Sequence, residues 1–200
     1  MAQPLDTHWI AVKRILRYLK GTISHGLHFR PAVPGKSFNL TAMCDADWAS
    51  DIDDRRSTSG SAIFLGPNLI SWWSRKQQVT ARSSTEAEYR AIAQTTAELT
   101  WIQALLKELH VPFFSPTLFC DNKSAVAIAH NPVFHSHTKH MEIDVFFVRE
   151  KVLAKQLQIQ HIPTLDQWAD ILTKPLSSSR FTVLKNKLHV LDFSSHKSST

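Results

Sequence analysis

Acidic residues lie where side chains of different predicted elements can meet. Asp45 and Asp47 end one predicted strand, and Asp121 follows another. Aspartates at strand ends are also common turn formers and helix caps, so each position alone favours a structural role. The two strands are predicted to be parallel neighbours, which brings Asp45 and Asp121 together at the carboxyl edge of a sheet, where sites form in open α/β sheets. The spacing leaves Asp45 and Asp47 open as alternatives.

Glu88 is predicted to face the core from a long helix over residues 84–109. The apolar stripe of this helix consists of Ile92, Leu99, Ile102, Leu106 and Leu109. Extending the stripe backwards places Glu88 about 40° from Ile92, whereas Glu86 lies about 120° away. A carboxylate that faces a sheet is costly unless a metal ion or a buried Lys or Arg compensates it. The phase of the helix therefore favours Glu88 as a site residue.

Asp170 lies in the first turns of the last predicted helix, where an acid also stabilises the helix dipole without further function. If it joins Asp45, Glu88 and Asp121 in one crevice, their mutual repulsion raises the carboxylate pKa values unless divalent cations neutralise them. Oxygen ligands without Cys or His at zinc spacing select a hard cation, Mg²⁺ or Mn²⁺. A pair of such ions about 3.5–4 Å apart suits phosphodiester hydrolysis.

The elements that must position these acids alternate between strands and helices. The sequence predicts strands over residues 38–48, 59–65, 69–75, 117–120 and 157–162, and helices over residues 84–109, 122–130 and 139–154. Thr164 and Gln167 resemble a capping box that opens a last helix, which runs to about Thr173. This order predicts an α/β domain in which an antiparallel meander joins parallel strands.

The positive charge lies at the two ends of the chain. The net charge of the 200 residues is +6, with +5 in residues 1–36, −2 in residues 37–176 and +3 in residues 177–200. The first segment is predicted to be a helix and a linker, the second the α/β domain, and the third a short helix with a disordered Ser-rich tail. Because the central segment is slightly acidic, the charge does not indicate a uniformly basic nucleic-acid-binding domain.

The composition excludes several classes of protein. An apolar fraction of 43% with six Trp excludes wholesale disorder, and two cysteines exclude a disulfide scaffold or a Cys-based structural zinc site. The sequence has no run of about 18 apolar residues and no secretion signal, so we expect neither a membrane span nor export. The expected location is intracellular, with the cytoplasm and the nucleus left open.

Seven strings in the central segment carry a resemblance to a known family. They are Cys-Asp-Ala-Asp-Trp-Ala at 44–49, Arg-Arg-Ser-Thr-Ser-Gly at 55–60, Ile-Ser-Trp-Trp-Ser-Arg-Lys-Gln at 70–77, Ser-Ser-Thr-Glu-Ala-Glu-Tyr-Arg-Ala at 83–91, Cys-Asp-Asn-Lys-Ser-Ala at 120–125, Thr-Lys-His-Met-Glu-Ile-Asp at 138–144 and Ala-Asp-Ile-Leu-Thr-Lys-Pro-Leu at 169–176. In order and spacing they resemble the ribonuclease H domain of copia-type LTR retrotransposon Pol polyproteins. Residues 7–29 resemble the stretch that joins reverse transcriptase to that domain, so residues 1–36 are interpreted as a remnant of this connection.

The resemblance implies a ribonuclease H-like α/β fold, a five-stranded mixed sheet with helices on both faces. It also implies four catalytic and metal-binding residues, which are Asp45, Glu88, Asp121 and Asp170 when carried over motif by motif. The choice of Asp45 over Asp47 rests on the resemblance alone. Two Mg²⁺ ions, or Mn²⁺, are implied: Asp45 bridges both, Glu88 and Asp121 complete one metal site, and Asp170 completes the other.

The implied substrate is the RNA strand of an RNA–DNA hybrid, cleaved to a 5′-phosphate and a 3′-hydroxyl. The implied partner is the reverse transcriptase domain of the same polyprotein; this chain contains no Tyr-x-Asp-Asp element for DNA synthesis. Hybrid recognition needs contacts to phosphates and 2′-hydroxyls. Candidate contacts are Asn122, Lys123, Ser124, Arg55 and Arg56. A solvated surface turn is the alternative interpretation of these residues.

Two positions depart from the family pattern: His137 stands where Arg is usual, and Phe146 stands where His is usual. Residues 162–165 also lack the mobile His of many cellular ribonucleases H, a lack that copia-type domains generally share. These departures leave an alternative function open: a catalytically impaired or host-adopted fragment that only binds nucleic acid or protein. An integrase-like nuclease on the same fold is a third hypothesis, but the chain has no upstream His/Cys zinc motif to support it.

Overall fold

The computed structural model describes residues 3, 5–33, 35–131 and 141–194. Its helices are α1 (Asp6–Gly21), α2 (Ser84–Glu108), α3 (Lys123–His130), α4 (Glu142–Leu153), α5 (Asp170–Thr173) and α6 (Ser178–Lys187). Its strands are β1 (His25–Leu27), β2 (Leu40–Asp47), β3 (Thr58–Leu65), β4 (Asn68–Lys76), β5 (Thr117–Cys120), β6 (Gln158–His161) and β7 (Val190–Asp192). Within the described ranges, no helix has the length and apolar character needed to cross a membrane.

Five of the strands form one mixed sheet in the order β4-β3-β2-β5-β6. Strands β2, β3 and β4 form an antiparallel meander, and β5 pairs in parallel with both β2 and β6. Parallel neighbours need long crossovers, which here contain α2 between β4 and β5 and helices α3 and α4 between β5 and β6. The α/β class and the five-stranded mixed sheet are confirmed.

Helices cover both faces of the sheet because its strands are apolar on both sides. Along β3, Ile63 packs into the core formed with α2, α3 and α4. Its neighbours Ala62 and Phe64 belong to a second core, which also contains Leu188 after α6. The ring of Trp168 meets Phe64 edge to face, with 5.5 Å between the ring centroids. Strand alternation thus divides the core into two layers.

Helix α2 carries the predicted apolar stripe through its length. Ser83 caps it by accepting the backbone N–H of Glu86, and the predicted core positions from Ile92 to Leu106 are buried. Leu109 was placed in the stripe, and that placement is wrong because the helix ends at Glu108 and Leu109 is exposed. His110 follows with a φ of 54°, which turns the chain out of the helix.

The predicted capping box before the last helix is also wrong. Residues Thr164–Asp166 form a 3-10 turn without a side-chain cap, and α5 begins only at Asp170. The side chain of Gln167 is fully buried and donates a hydrogen bond to the backbone oxygen of Cys44, at 2.8 Å. Gln167 therefore attaches the start of α5 to strand β2.

The two ends of the described chain meet in a small sheet that the sequence did not predict. Strand β1, inside the predicted linker, pairs antiparallel with β7, with His25 opposite Asp192. The division into segments 1–36, 37–176 and 177–200 stays a prediction. The residues at 132–140, which include His137 and the predicted start of the helix at 139, lie outside the described residues, as does the Ser-rich tail at 195–200.

Candidate active site

Strands β2 and β5 bring two of the candidate acids to one edge of the sheet. The strands are paired in parallel from Thr41 opposite Thr117 to Met43 opposite Phe119, as the sequence predicted. The same register continued by two residues places Asp45 beside Asp121. Asp45 is fully buried whereas Asp47 is partly exposed, so the structure distinguishes two positions that the spacing did not.

Gly60 lets the last helix reach this edge. It lies opposite Asp45 in the β2–β3 ladder, and α5 packs directly over it. A Cβ atom at this position would lie 2.7 Å from Cγ2 of Thr173 and 2.8 Å from Cβ of Leu172, closer than packed carbon atoms approach. The absence of a side chain therefore allows α5 to bring Asp170 against Asp45.

A lysine ammonium group joins Asp45 and Asp170. Nζ of Lys174 lies 2.9 Å from Oδ1 of Asp45 and 2.7 Å from Oδ1 of Asp170. The other oxygens have their own donors: the hydroxyl of Thr173 donates to Oδ2 of Asp45, and Nη2 of Arg180 donates to Oδ2 of Asp170 at 3.3 Å. We call Asp45, Asp170 and Lys174 the bridged half of the site.

Burial and charge act against each other in the bridged half. Burial raises the pKa of Asp45, and the hydrogen bonds from Thr173 and Lys174 offset only part of this effect. Burial lowers the pKa of Lys174, but the contacts with Asp170 and Asp45 outweigh burial and raise it overall. The lysine is therefore held as a cation between the two carboxylates.

Glu88 and Asp121 form a second cluster, which we call the unbridged half. Donor atoms of Glu88, Cys120 and Asp121 all lie within 4.8 Å of one another. The Cys120 thiol approaches Oε2 of Glu88 at 3.7 Å, and the backbone N–H of Ala46 also donates to Glu88. Among the described residues, no basic side chain lies within ion-pair distance of Glu88. Burial, with the neighbouring Cys120, Asp45 and Asp121, raises the pKa of Glu88 to about 10.

Glu86, on the same helix, is a buried carboxylate whose charge the protein does neutralise. It is as buried as Glu88, which the helix phase did not predict. Its Oε1 accepts from Nη2 of Arg90 at 2.9 Å, and its Oε2 accepts the backbone N–H of Arg82 at 2.8 Å. The protein thus supplies both a cation and a backbone donor to Glu86, whereas Glu88 faces other acids.

The sequence is closely related to retrotransposon proteins. It is 47% identical over 192 residues to the retrovirus-related Pol polyprotein from transposon RE2 of Arabidopsis thaliana and 47% identical over 191 residues to that from RE1 of the same plant. It is 37% identical over 185 residues to the Pol polyprotein from transposon TNT 1-94 of Nicotiana tabacum. The chain belongs to the copia-type Pol polyproteins. The search of protein-family models returns no match for this Pol segment.

The Pol segment corresponds to a small part of these relatives. The three alignments cover 96%, 95% and 92% of this chain but only 13%, 13% and 14% of the relatives. Among solved structures, the segment is similar to LC11-RNase H1 in complex with an RNA/DNA hybrid, with a TM-score of 0.49 and 16% identity over 68% of this chain and 94% of that one. A second similar structure is the N-terminal RNase H domain of Rv2228c from Mycobacterium tuberculosis, with a TM-score of 0.46 and 14% identity over 75% and 98% of the two chains.

The candidate substrate contacts of the Pol segment differ in how available they are. The side chain of Asn122 caps α3 by accepting the backbone N–H of Ala125 at 2.9 Å, so part of its hydrogen-bonding capacity is used within the protein. Lys123 and Ser124 are exposed in the first turn of α3, directly after Asp121. They are the two candidates best placed to meet a ligand bound at the acids.

Arg55 and Arg56 lie in the turn between β2 and β3, at the same end of the sheet as Asp45. Arg55 is exposed and adopts a left-handed conformation with a φ of 56°. Nε of Arg56 lies 3.4 Å from a carboxylate oxygen of Asp54. The turn therefore fits the alternative interpretation, a solvated surface turn, as well as it fits a phosphate contact.

Sequence reasoning missed several residues that shape the site. They are Gly60, Cys120, Thr173, Lys174 and Arg180. One signal was present, because Lys174 follows Asp170 by four residues, the spacing of an ion pair on a helix. The contact of Lys174 with Asp45 joins residues 129 positions apart and had no local signal.

The donor set of the Pol segment fits a hard divalent cation. Glu88 and Asp121 offer carboxylate oxygens, the ligands that Mg²⁺ and Mn²⁺ prefer. A buried, uncompensated Glu88 beside other acids is costly in its ionised form unless a cation joins it. A cation there would lie next to Asp45, the acid that touches both halves of the site.

Proposed function

We propose that this Pol segment is a ribonuclease H, an endonuclease that hydrolyses the RNA strand of RNA–DNA hybrids with two Mg²⁺ or Mn²⁺ ions. The convergence of four acids from β2, α2, β5 and α5 at one edge of the sheet carries the proposal. Motifs typical of that domain contain all four acids, and the membership in copia-type Pol polyproteins supports the same function.

Each acid has a position that suits a distinct role. Asp45 lies between the halves and would contact both ions, Glu88 and Asp121 would hold one of them, and Asp170 would hold the other. The ions would supply an activated water and stabilise the charge on the leaving 3′ oxygen. The protein contributes rigidity, because two strands and a long helix fix three of the acids before any substrate binds.

The rest of the hybrid would lie across the carboxyl edge of the sheet. Lys123 and Ser124 are exposed next to Asp121, and they would contact phosphate or ribose, the groups that identify a hybrid without reading its bases. Arg55 and Arg56 would add phosphate contacts from the neighbouring turn. The reverse transcriptase domain of the same polyprotein is the partner that we propose for this segment.

A binding module without turnover is the second candidate function. The observation in its favour is the bridge by Lys174, which compensates Asp45 and Asp170 without a metal. Such a module would bind a hybrid equally well with and without Mg²⁺, and replacing the acids would leave its affinity unchanged.

A cleavage assay tests the proposal against the binding module. With end-labelled RNA in a hybrid, we expect cleavage that requires Mg²⁺ and stops in EDTA. Asp45→Asn should lower the rate about a thousandfold or more, because it removes the ligand common to both ions. Asp47→Asn is the matched control and should keep the rate within about tenfold, since Asp47 is partly exposed two residues away.

Three results would contradict the proposal. Cleavage in EDTA would show that the reaction needs no metal ion. Cleavage of single-stranded RNA at the same rate would show that the hybrid is not the specific substrate. Full activity of Asp45→Asn would show that Asp45 is not a metal ligand required for cleavage.

A further inference from the structure

The ammonium group of Lys174 lies where a cation between two carboxylates belongs. It contacts one oxygen of Asp45 at 2.9 Å and one oxygen of Asp170 at 2.7 Å, and these two acids come from different elements. Two buried carboxylates this close to one nitrogen would repel each other strongly if it left without replacement. The bridged half is therefore complete as an electrostatic unit in the protein alone.

The remaining contacts of the two carboxylates do not obstruct a metal. Thr173 donates to Oδ2 of Asp45, and Arg180 donates to Oδ2 of Asp170. Lys174 contacts both Oδ1 atoms, so these two oxygens lie around the same nitrogen. A divalent cation could join the same two oxygens if a single ammonium group moved, and the outer donors could stay in place to orient both acids.

Lys174 is able to move without disturbing the fold. About one third of its side chain is exposed, and it follows the last residue of α5 rather than lying inside the helix. Its ammonium group is a point charge on a flexible four-carbon chain, so it can reach solvent by rotation of the side chain. Arg180 is less suited to such movement because it also donates to the backbone oxygens of Leu165 and Thr164.

The unbridged half has no equivalent cation. Glu88 and Asp121 lie near each other with Cys120, and within the described ranges no lysine or arginine contacts Glu88. A metal ion there would meet no competitor from the protein. The two halves should therefore bind cations with unequal affinity.

We propose that Lys174 is the resident counter-ion of the bridged half, and that a second divalent cation binds between Asp45 and Asp170 only by displacing its ammonium group. This inference rests on the proposed function, because it assigns a binding order to the two ions of that site. Lys174 is a positioning residue here: it sets the concentration of metal at which the site is filled.

Counting bound Mn²⁺ by electron paramagnetic resonance tests the inference without any turnover. In the full chain, we expect one ion to bind at low Mn²⁺ concentration and a second at least tenfold more weakly. Lys174→Gln keeps a hydrogen-bond donor but removes the charge, and it should tighten the second site at least tenfold while changing the first less than twofold. Lys174→Arg keeps the charge and should leave the second site as weak as in the wild type.

Lys107→Gln is the matched control for loss of one positive charge. Lys107 is exposed on α2 and lies 19 residues from Glu88 along the same helix, about 28 Å away. This variant should bind both ions like the wild type. If Lys107→Gln tightens the second site as much as Lys174→Gln, the effect is one of net charge and the inference is overturned.

A second measurement uses the wild type and does not depend on the folding of Lys174→Gln. In protein labelled with ¹⁵N at the lysine Nζ atoms, the signal of the Lys174 ammonium group should move during the second step of a Mg²⁺ titration. An unchanged signal after two ions have bound would overturn the inference, and so would an unchanged second site in Lys174→Gln. If both ions bind as expected but no hybrid is cleaved, the inference stands and the proposed function fails.

Discussion

The two halves of the acidic site differ in where their positive charge comes from. In the bridged half, Lys174 lies within 2.9 Å of Asp45 and 2.7 Å of Asp170, and Arg180 and Thr173 bind the remaining oxygens. In the unbridged half, Glu88 is nearly as buried, but its neighbours are Asp45, Asp121 and a thiol. The fold therefore supplies a cation to Asp45 and Asp170, and among the described residues it supplies none to Glu88.

Neighbouring carboxylates in one site can therefore differ in whether the protein neutralises their charge. Donor atoms of Glu88, Cys120 and Asp121 lie within 4.8 Å of one another with no cation among them, whereas the ammonium group of Lys174 lies between Asp45 and Asp170. We therefore expect substitutions in the two halves to have different effects on Mn²⁺ affinity and on the free energy of unfolding.

Replacing Glu88 should have the opposite consequences from replacing Glu86. Glu88→Gln should weaken the first Mn²⁺ site about a hundredfold or more, because it removes a carboxylate ligand. It should leave the metal-free fold intact, because Glu88 is protonated there and the neutral Gln side chain has nearly the same shape. Glu86→Gln should keep metal binding but cost about 3 kcal/mol of stability, because it removes the carboxylate that pairs with the partly buried Arg90. Calorimetric Mn²⁺ titration and urea unfolding in EDTA measure the two effects.

Equal weakening of Mn²⁺ binding in Glu88→Gln and Glu86→Gln would contradict the different roles of the two glutamates. So would unfolding of Glu88→Gln in EDTA, since Glu88 would then be a structural residue like Glu86.

Gly60→Ala should damage the bridged half through packing. The added Cβ would meet Thr173 and Leu172 at 2.7 and 2.8 Å, so α5 must move away from β3 and carry Asp170 with it. We expect a loss of about 2 kcal/mol in urea unfolding, typical of overpacking, and a weaker second Mn²⁺ site. The first site should change little.

Ser61→Ala is the neighbouring control on the same strand. The Ser61 hydroxyl is buried without a hydrogen-bond partner among the described residues, so its removal should not lower stability. Equal stability of Gly60→Ala and Ser61→Ala would show that α5 does not pack tightly on Gly60.

The stability of the metal-free protein should fall as pH rises, and Glu88 should cause part of the fall. Its pKa rises from the usual 4.5 to about 10 on folding, so the folded state holds a proton that the unfolded chain releases between these values. Its stabilising contribution is complete below pH 4.5 and is lost towards pH 10. In EDTA, raising the pH from 6.5 to 7.5 should cost the wild type up to about 1.4 kcal/mol more than it costs Glu88→Gln. Identical pH slopes of the two proteins in urea unfolding would contradict the strong burial of an uncompensated Glu88.

The sequence predicted the elements whose patterns are long. Helix α2 has 25 residues and a regular apolar stripe, so its position and the side that Glu88 faces could be derived from the period alone. Strands β1 and β7 have three residues each, too few for alternation to show. Helix α5 has four residues, and the Thr164–Gln167 pattern before it is compatible with a 3-10 turn as well as with a capping box.

The sequence predicted the acids better than their compensation. Strand ends indicated Asp45 and Asp121, because a site at the carboxyl edge of a sheet has a local signature. The phase of the long helix indicated Glu88, and the family resemblance alone selected Asp170. The counter-charges depend on which distant side chains meet. Lys174 reaches Asp45 only because Gly60 admits α5 to the sheet, and no spacing in the sequence shows that contact.

Crystals soaked in Mn²⁺ and measured by anomalous diffraction test the two-half site most directly. At low Mn²⁺ concentration we expect one anomalous peak beside Glu88 and Asp121. At high concentration a second peak should lie between Asp45 and Asp170, with the Lys174 side chain turned towards solvent. A first peak between Asp45 and Asp170, or no peak at any of the four acids, would contradict a metal centre built from these two halves.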